Sequence, residues 1–256
     1  MTEIHGAAQA GYAAEAERYA MGRPEYPAAL LPWLHEDLGL SAGRSVVDLG
    51  AGTGKFTGLL LQTGAEVTAV EPVAAMRAQL LARHPALKAV EGRAEDMPLA
   101  SASVDAIVCA QAFHWFANLS ALTEMHRVLK PGGRLGLVWN VRDESVDWMA
   151  AVTAIITPFE DDAPRYYKGD WRKPFERFAG FGPLVMHSVE HLHVGPPAEV
   201  ILNRFLSVSF IAALDAERKA NVAAQLQELI AHHPALKAQE TVVVRYRTEA
   251  FTCLRN

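Results

Sequence analysis

From Ser45 onward the apolar residues come in short, nearly unbroken runs, SVVDL, EVTAVE, VDAIVCA and RLGLVW, separated by longer stretches in which they recur every three or four positions. A run that is apolar at successive positions is a strand covered on both faces, as inner strands of a parallel sheet are, and the intervening 3.6-residue period marks helices laid across it. The pattern predicts strands over 45–49, 66–71, 104–110 and 134–139, a weaker one over 88–91, and helices over 55–62, 73–83 and 119–129. Lys130-Pro131-Gly132-Gly133 closes the last of these. Strands alternating with helices specify an α/β layered fold.

The two ends read differently. Residues 7–39 are Ala- and Leu-rich with helical spacing, broken at Arg23-Pro24-Glu25-Tyr26-Pro27, where two prolines force an extended or turned link between two helices. Pro32 belongs in the first turn of the second helix, where a missing N–H costs nothing, and Gly39 stops it. After Asn140 the alternation lapses. The stretch to about residue 182 gathers Trp148, Phe159, Tyr166, Tyr167, Trp171 and Phe175 among prolines and charges and reads as a helical cap with its own small core. Beyond it, 184–194 alternates as a strand, 199–206 and 216–232 are helical, and 241–253 is a long final strand. The expected organisation is one domain over 1–256: a helical segment 1–40, a ligand-binding core 41–140, a cap 141–183 lining an acceptor site, and 184–256 completing the sheet.

Composition narrows the partners. With 256 residues, 50% of them hydrophobic and 21% charged, the chain can bury a large core. A net charge of −5 gives no electrostatic reason for a nucleic-acid partner. The two cysteines, Cys109 and Cys253, form neither a disulfide framework nor a CxxC site, which fits a reducing cytoplasm. The N-terminus lacks the basic start and apolar stretch of a signal peptide, and no run approaches the roughly 18 apolar residues of a membrane span. Among ten histidines, His191 and His193 share a strand face without an evident third ligand, so no metal is expected.

The first strand ends in Asp48-Leu49-Gly50-Ala51-Gly52-Thr53-Gly54 and runs into a helix, setting three glycines where backbone approaches a ligand. A dinucleotide site wants G-x-G-x-x-G, and the third glycine position is occupied by Lys55; P-loop spacing is absent. The second strand ends at Glu71, an acid in register with the loop that can accept hydrogen bonds from two ribose hydroxyls. Pro72 and Met76 follow as apolar neighbours for an adenine or ribose.

The [D/E]-x-G-x-G-x-G loop after a buried strand resembles the first motif of class I S-adenosylmethionine-dependent methyltransferases. Glu91-Gly92-Arg93-Ala94-Glu95-Asp96-Met97-Pro98-Leu99 followed by Ser103-Val104-Asp105-Ala106-Ile107-Val108 resembles a further stretch of their small-molecule members. The resemblance implies a Rossmann-like, mostly parallel seven-stranded sheet with helices on both faces, the last strand antiparallel, plus a helical cap. It implies S-adenosyl-L-methionine as cofactor, with its methionine portion on Gly50, Ala51, Gly52 and Gly54 and its ammonium near Asp48. Ala94 would offer backbone, and either Glu95 or Asp96 a carboxylate, to the adenine amino group.

Tyr19 and Arg23-Pro24-Glu25-Tyr26-Pro27, together with Gln111-Ala112-Phe113-His114-Trp115-Phe116, resemble a subgroup that includes the trans-aconitate methyltransferases. By that analogy Tyr19 and Arg23 close over the cofactor, Arg23 near its carboxylate. Ala110, Gln111 and Trp115 border it at the end of the fourth strand, where open α/β sheets bind ligands. His114, with an ordinary pKa near 6.5, is the candidate general base, a pocket-lining role being the alternative. Trp139, Asn140 and Arg142 leave the fifth strand at the ligand edge, and with Trp148, Tyr166, Tyr167 and Trp171 they are the candidates for binding a small-molecule acceptor, a carboxylate or hydroxyl among the choices. A nicotinamide-dependent oxidoreductase and a noncatalytic S-adenosylmethionine-binding protein are the competing readings.

Overall fold

The computed structural model describes residues 23–256, so the first predicted helix and Tyr19 lie outside the described residues. A seven-stranded sheet organises the chain: β1 (Ser45–Leu49), β2 (Glu66–Val70), β3 (Lys88–Val90), β4 (Val104–Ala110), β5 (Leu129–Arg142), β6 (Val185–Gly195) and β7 (Val242–Leu254). Their order across the sheet is β3-β2-β1-β4-β5-β7-β6. β1 pairs in parallel with β2 and β4, bringing Asp48 level with Ala69 on one side and Val108 on the other. β7 runs against β5, since Asp143 N–H donates to Arg245 O at 3.0 Å while Arg255 N–H donates to Gly133 O at 2.8 Å. This is the expected mostly parallel class I fold with its last strand antiparallel.

Between the strands lie α1 (Leu31–Glu36), α2 (Thr57–Gln62), α3 (Ala74–Arg83), α4 (Leu119–Val128), α5 (Asp147–Ile156) and α6 (Ala216–His232). Local chemistry sets their ends. Asn118 caps α4 by accepting from Ala121 N–H at 2.9 Å, and Asp215 caps α6 by accepting from Arg218 N–H at 2.8 Å. Pro32 sits in the first turn of α1, as its missing donor requires. α2 starts at Thr57, two residues later than expected, because Gly54 at φ +80° still belongs to the turn. The Lys130-Pro131-Gly132-Gly133 segment is part of β5, in the register irregularity between Val104 and Ala106 of β4. The predicted helix over 199–206 is a π-helical turn, Ala198–Asn203, followed by a single α-helical turn, Arg204–Leu206.

The chain divides into two compact units. The larger holds Tyr26–Asn140, Pro164–Val189 and Thr248–Asn256; the smaller holds Val141–Ala163, Glu190–Arg247 and, among described residues, 23–25. The expected cap segment 141–183 is therefore shared between them. Trp33, Leu34, Val46, Leu60, Ala69 and Val108 belong to the core of the larger unit. Trp148, Val152, Ile201, Phe205, Val222 and Val244 belong to that of the smaller. No helix among the described residues is long and apolar enough to cross a membrane.

Candidate active site

At the carboxyl ends of β1, β2 and β4 the larger unit assembles a loop whose shape depends on missing side chains. Gly50 N–H donates to Val70 O at 2.8 Å, tying the loop to the end of β2. Gly50, Gly52 and Gly54 have φ of +70°, +57° and +80°, a region that side chains disfavour. A Cβ on Gly50 would stand 2.8 Å from the Ala112 Cβ, so the segment after β4 can close on the loop only because Gly50 is bare. At Gly52 a Cβ would meet nothing within 4 Å. Its backbone faces open space.

Two carboxylates stand behind this loop. Asp48 is wholly buried; its Oδ2 accepts from the Thr57 hydroxyl at 2.6 Å, and its Oδ1 has no hydrogen-bond partner. Burial, offset by the Thr57 bond and reinforced by the nearby Glu71 charge, raises its pKa from 3.8 to about 7. Glu71 is 6% exposed. Its Oε2 accepts from Gly52 N–H and its Oε1 from Val73 N–H, both at 2.9 Å. Burial raises its pKa too, against the lowering effect of those two bonds and of Arg77. Each Glu71 oxygen keeps a second lone pair, so the carboxylate can brace the loop and still accept from hydroxyls.

On the far side of β2, Pro72 is half-buried, whereas Met76 is 2% exposed and packed in the interior. Ala94 is buried, Glu95 half-buried and Asp96 exposed. Glu95 Oε1 accepts from Asn118 Nδ2 at 2.9 Å, joining this loop to the cap of α4.

β4 ends at half-buried Ala110, and Gln111 follows at φ +55°, a left-handed conformation costly for a residue with a Cβ. Its N–H donates to Val138 O at 2.8 Å and its Nε2 to Asn140 O at 3.1 Å, which holds the strained residue against β5. Phe113, His114 and Trp115 make a 3₁₀ turn, with the His114 and Trp115 ring centroids 5.2 Å apart. Trp139 Nε1 donates to His114 Nδ1 at 3.1 Å. An indole nitrogen can only donate, so the neutral imidazole carries its proton on Nε2. In that tautomer neither ring nitrogen offers a spare lone pair.

The expected acceptor residues separate. Trp139, Asn140, Tyr166 and Trp171 lie in the larger unit. Trp139 and Trp171 are each 1% exposed with centroids 4.6 Å apart, and Tyr166 stacks on Trp171 at 21°. Asn140 Oδ1 accepts from the Thr248 hydroxyl at 2.6 Å, and the Tyr166 hydroxyl donates to Glu249. This aromatic group is interior packing around the inward face of β7, with Phe251 against Trp171 at 5.2 Å, rather than the core of a separate cap. Tyr167 points outward, 63% exposed. Trp148 is buried in the smaller unit, where Arg142 also lies, its Nη2 3.6 Å from Glu144 Oε1. Arg23, in the same unit, donates from Nη2 to Ser207 O at 3.4 Å.

Thr57 and Asn118 were not foreseen, yet both act on carboxylates of the site. Thr57 was legible as the hydroxyl at a helix start close to Asp48; Asn118, the cap residue directly before an apolar helix, gave no sign that it also reaches Glu95.

The comparisons with known proteins agree with this geometry. A family model described as a methyltransferase domain matches residues 47–137. An uncharacterised methyltransferase-like protein of Schizosaccharomyces pombe is 36% identical over 242 residues, 91% of this chain and 91% of its own. An uncharacterised methyltransferase of Mycobacterium tuberculosis is 37% identical over 237 residues, 93% of this chain and 91% of its own. A solved structure from Anaeromyxobacter dehalogenans, provisionally named a type II methyltransferase, superposes with a TM-score of 0.60 at 26% identity, covering 91% of this chain and 96% of that one. With relatives alike across nine-tenths of both chains and the glycine loop at the switch of this sheet, the chain belongs to the class I S-adenosylmethionine-dependent methyltransferases.

Proposed function

We propose that the chain transfers a methyl group from S-adenosylmethionine to a small-molecule acceptor, and that the donor's amino-acid end is held by the buried, unpartnered Oδ1 of Asp48 and by the bare Gly52 backbone. A buried carboxylate without a counter-charge is expensive, and an ammonium group supplies what it lacks. Gly50, Ala51 and Gly54 complete that cradle, and Glu71 takes the ribose hydroxyls on its free lone pairs. Pro72, with Met76 behind it, Ala94 and either Glu95 or Asp96 flank the adenine. Ala110, Gln111 and Trp115 border the same donor at the end of β4.

The bound sulfonium supplies an electrophilic methyl carbon and a neutral thioether leaving group. The residues here contribute alignment and exclusion of water, which can carry most of the acceleration of an in-line displacement. His114, held by Trp139 with its proton on Nε2, lines the site as a hydrogen-bond donor; such a site suits an acceptor that is already ionised, such as a carboxylate, over one that must lose a proton. Trp139, Asn140 and Tyr166 position the surroundings of His114 from behind. Tyr19 and Arg23 closing on the donor, and the finer likeness to the trans-aconitate methyltransferases, rest on sequence motifs. We place the enzyme in the cytoplasm, consistent with two buried, unpaired cysteines, and without a nucleic-acid partner.

Calorimetric titration with S-adenosylmethionine, S-adenosylhomocysteine and NADH tests the donor. Binding of the first two and not the third is expected, and NADH binding alone overturns the reading. Transfer of labelled methyl to a panel of carboxylates and hydroxyl compounds tests the reaction; donor binding with no transfer to any of them favours a noncatalytic sensor.

A further inference from the structure

We propose that the smaller unit holds a site for a small-molecule carboxylate, built on Arg204 and Arg142 with His191 and Tyr246 beside them. The site stands on geometry within this unit alone and goes beyond the methyltransferase reading above.

Arg204, in the turn after the π-helical segment, is 7% exposed, and its Nε and Nη1 are closed off from solvent with no hydrogen-bond acceptor. Among the described residues no carboxylate neutralises it. The charges around it have its own sign, from Arg23 and Arg142, and only the Tyr246 hydroxyl favours its charge. Burial, followed by that repulsion, pulls its pKa down to about 10, which leaves it a full cation at neutral pH. Arg142 and Arg204 each bring Cζ to 5.4 Å from the centroid of the Phe205 ring, so both guanidinium groups rest against one phenyl group.

Strand register brings the rest. The Asp143 to Arg245 bond sets Arg142 beside Tyr246 across β5 and β7, and on the next strand the His191 ring lies 6.0 Å from that of Tyr246. Arg142, Tyr246 and His191 thus form a row over three neighbouring strands, and Arg204 is near enough to Tyr246 and Arg142 for both to act on its charge. His191 Nε2 is buried without a partner as well, and burial holds the ring neutral, with Glu25 opposing. Two acids touch the rim: Glu144 is 3.6 Å from Arg142 and half-exposed, and Glu25 faces His191. Neither neutralises Arg204.

A protein that buries one guanidinium near two others, and leaves two donors on Arg204 unmet, carries a cost that an oxyanion removes. Arg142, with 14% of its side chain exposed, is the member an incoming ligand meets first. Planar guanidinium groups match carboxylates, and no lysine stands in the row.

The test uses the full chain, with acetate, succinate, tricarballylate and inorganic phosphate as probes in calorimetry and thermal melts, on wild type, Arg204→Met and Arg142→Gln. The expected result is saturable binding of at least one carboxylate, weakened tenfold or more in both variants. Without ligand, Arg204→Met melts about 2–4 °C higher, because the uncompensated charge is gone. Should Arg204→Met fail to fold, Arg142→Gln gives the binding result alone.

Binding of no carboxylate, binding of phosphate alone, or equal carboxylate binding in wild type and Arg142→Gln overturns the proposal. S-adenosylhomocysteine and methylthioadenosine, which lacks the amino-acid end, separate the donor's own carboxylate from that of a different ligand. Loss of affinity for the first only in Arg142→Gln, with no free carboxylate bound by wild type, assigns the site to the donor and overturns the proposal. Carboxylate binding without any response to S-adenosylhomocysteine overturns the methyltransferase reading and upholds the anion site.

Discussion

The two compact units bury charge of opposite sign, and among the described residues neither closes an ion pair on it. In the larger, Asp48 and Glu71 lie at the ends of adjacent parallel strands, and no cation forms an ion pair with either among the described residues; their partners are hydroxyl and backbone N–H groups. In the smaller, Arg204 is surrounded by Arg23 and Arg142. Most buried ions in proteins are paired, because desolvation otherwise shifts them to the neutral form. The units answer that pressure differently: Asp48 takes up a proton near neutrality, whereas a guanidinium keeps its charge at any physiological pH. A carboxylate that can be neutral without its ligand suits a site that fills and empties, whereas a permanent cation calls for an anion.

The largest effect expected in the larger unit comes from Asp48→Asn, which keeps the shape and removes the charge. Affinity for S-adenosylmethionine should drop by about 2–4 kcal/mol, as for a buried charge pair losing one member, while the ligand-free protein melts no lower than wild type. Calorimetry and a thermal melt decide it; retained affinity would remove the carboxylate half of the contrast. Glu71→Ala should weaken the donor by about 1–3 kcal/mol, in step with a lost charged hydrogen bond, and unchanged affinity would show that Glu71 only braces Gly52.

The pH response is next in size. The folded pKa of Asp48, about 7, lies above its ordinary value of 3.8, so its contribution to stability is fully present below about pH 4 and is lost as the pH rises through 7. Donor binding runs the opposite way, since the ammonium needs the ionised form: affinity should fall up to about tenfold per pH unit below 7, with a proton released on binding at pH 6. Buffers of different ionisation enthalpy measure that proton. A flat profile would mean that Asp48 is already ionised without its ligand. Smallest is His114→Ala, which should leave donor affinity within about twofold, a few tenths of a kcal/mol. Turnover that survives with the true acceptor makes His114 a wall of the site.

Much of the larger unit was legible because its information is local. β1 and β4 have the bounds that hydrophobic period predicts, and the glycine loop is a contiguous motif. The smaller unit was not, because the residues that meet there, Arg142, His191, Arg204 and Tyr246, are brought together only by strand order and antiparallel register. Arg142 beside Asp143 and Glu144 looks like a surface ion pair on paper. The aromatics from Tyr166 to Phe175 misled for a related reason: composition marks a hydrophobic cluster but not the strand it covers, and here that strand is β7, most of a hundred residues later. Gln111 carries no special residue type, so its positive φ was invisible in the sequence.

Asn118 uses its two ends for different purposes: its oxygen accepts the Ala121 amide that opens α4, and its nitrogen donates to Glu95. The side chain is in effect a gauge wired to an amide. If adenine draws Glu95 away, Asn118 is freed to swing, and exchange of the Ala121 amide with deuterated solvent quickens; if Asp96 does that work, the amide keeps its pace. One backbone hydrogen, followed with and without nucleoside, therefore distinguishes two adjacent acids that no inspection of the chain could tell apart.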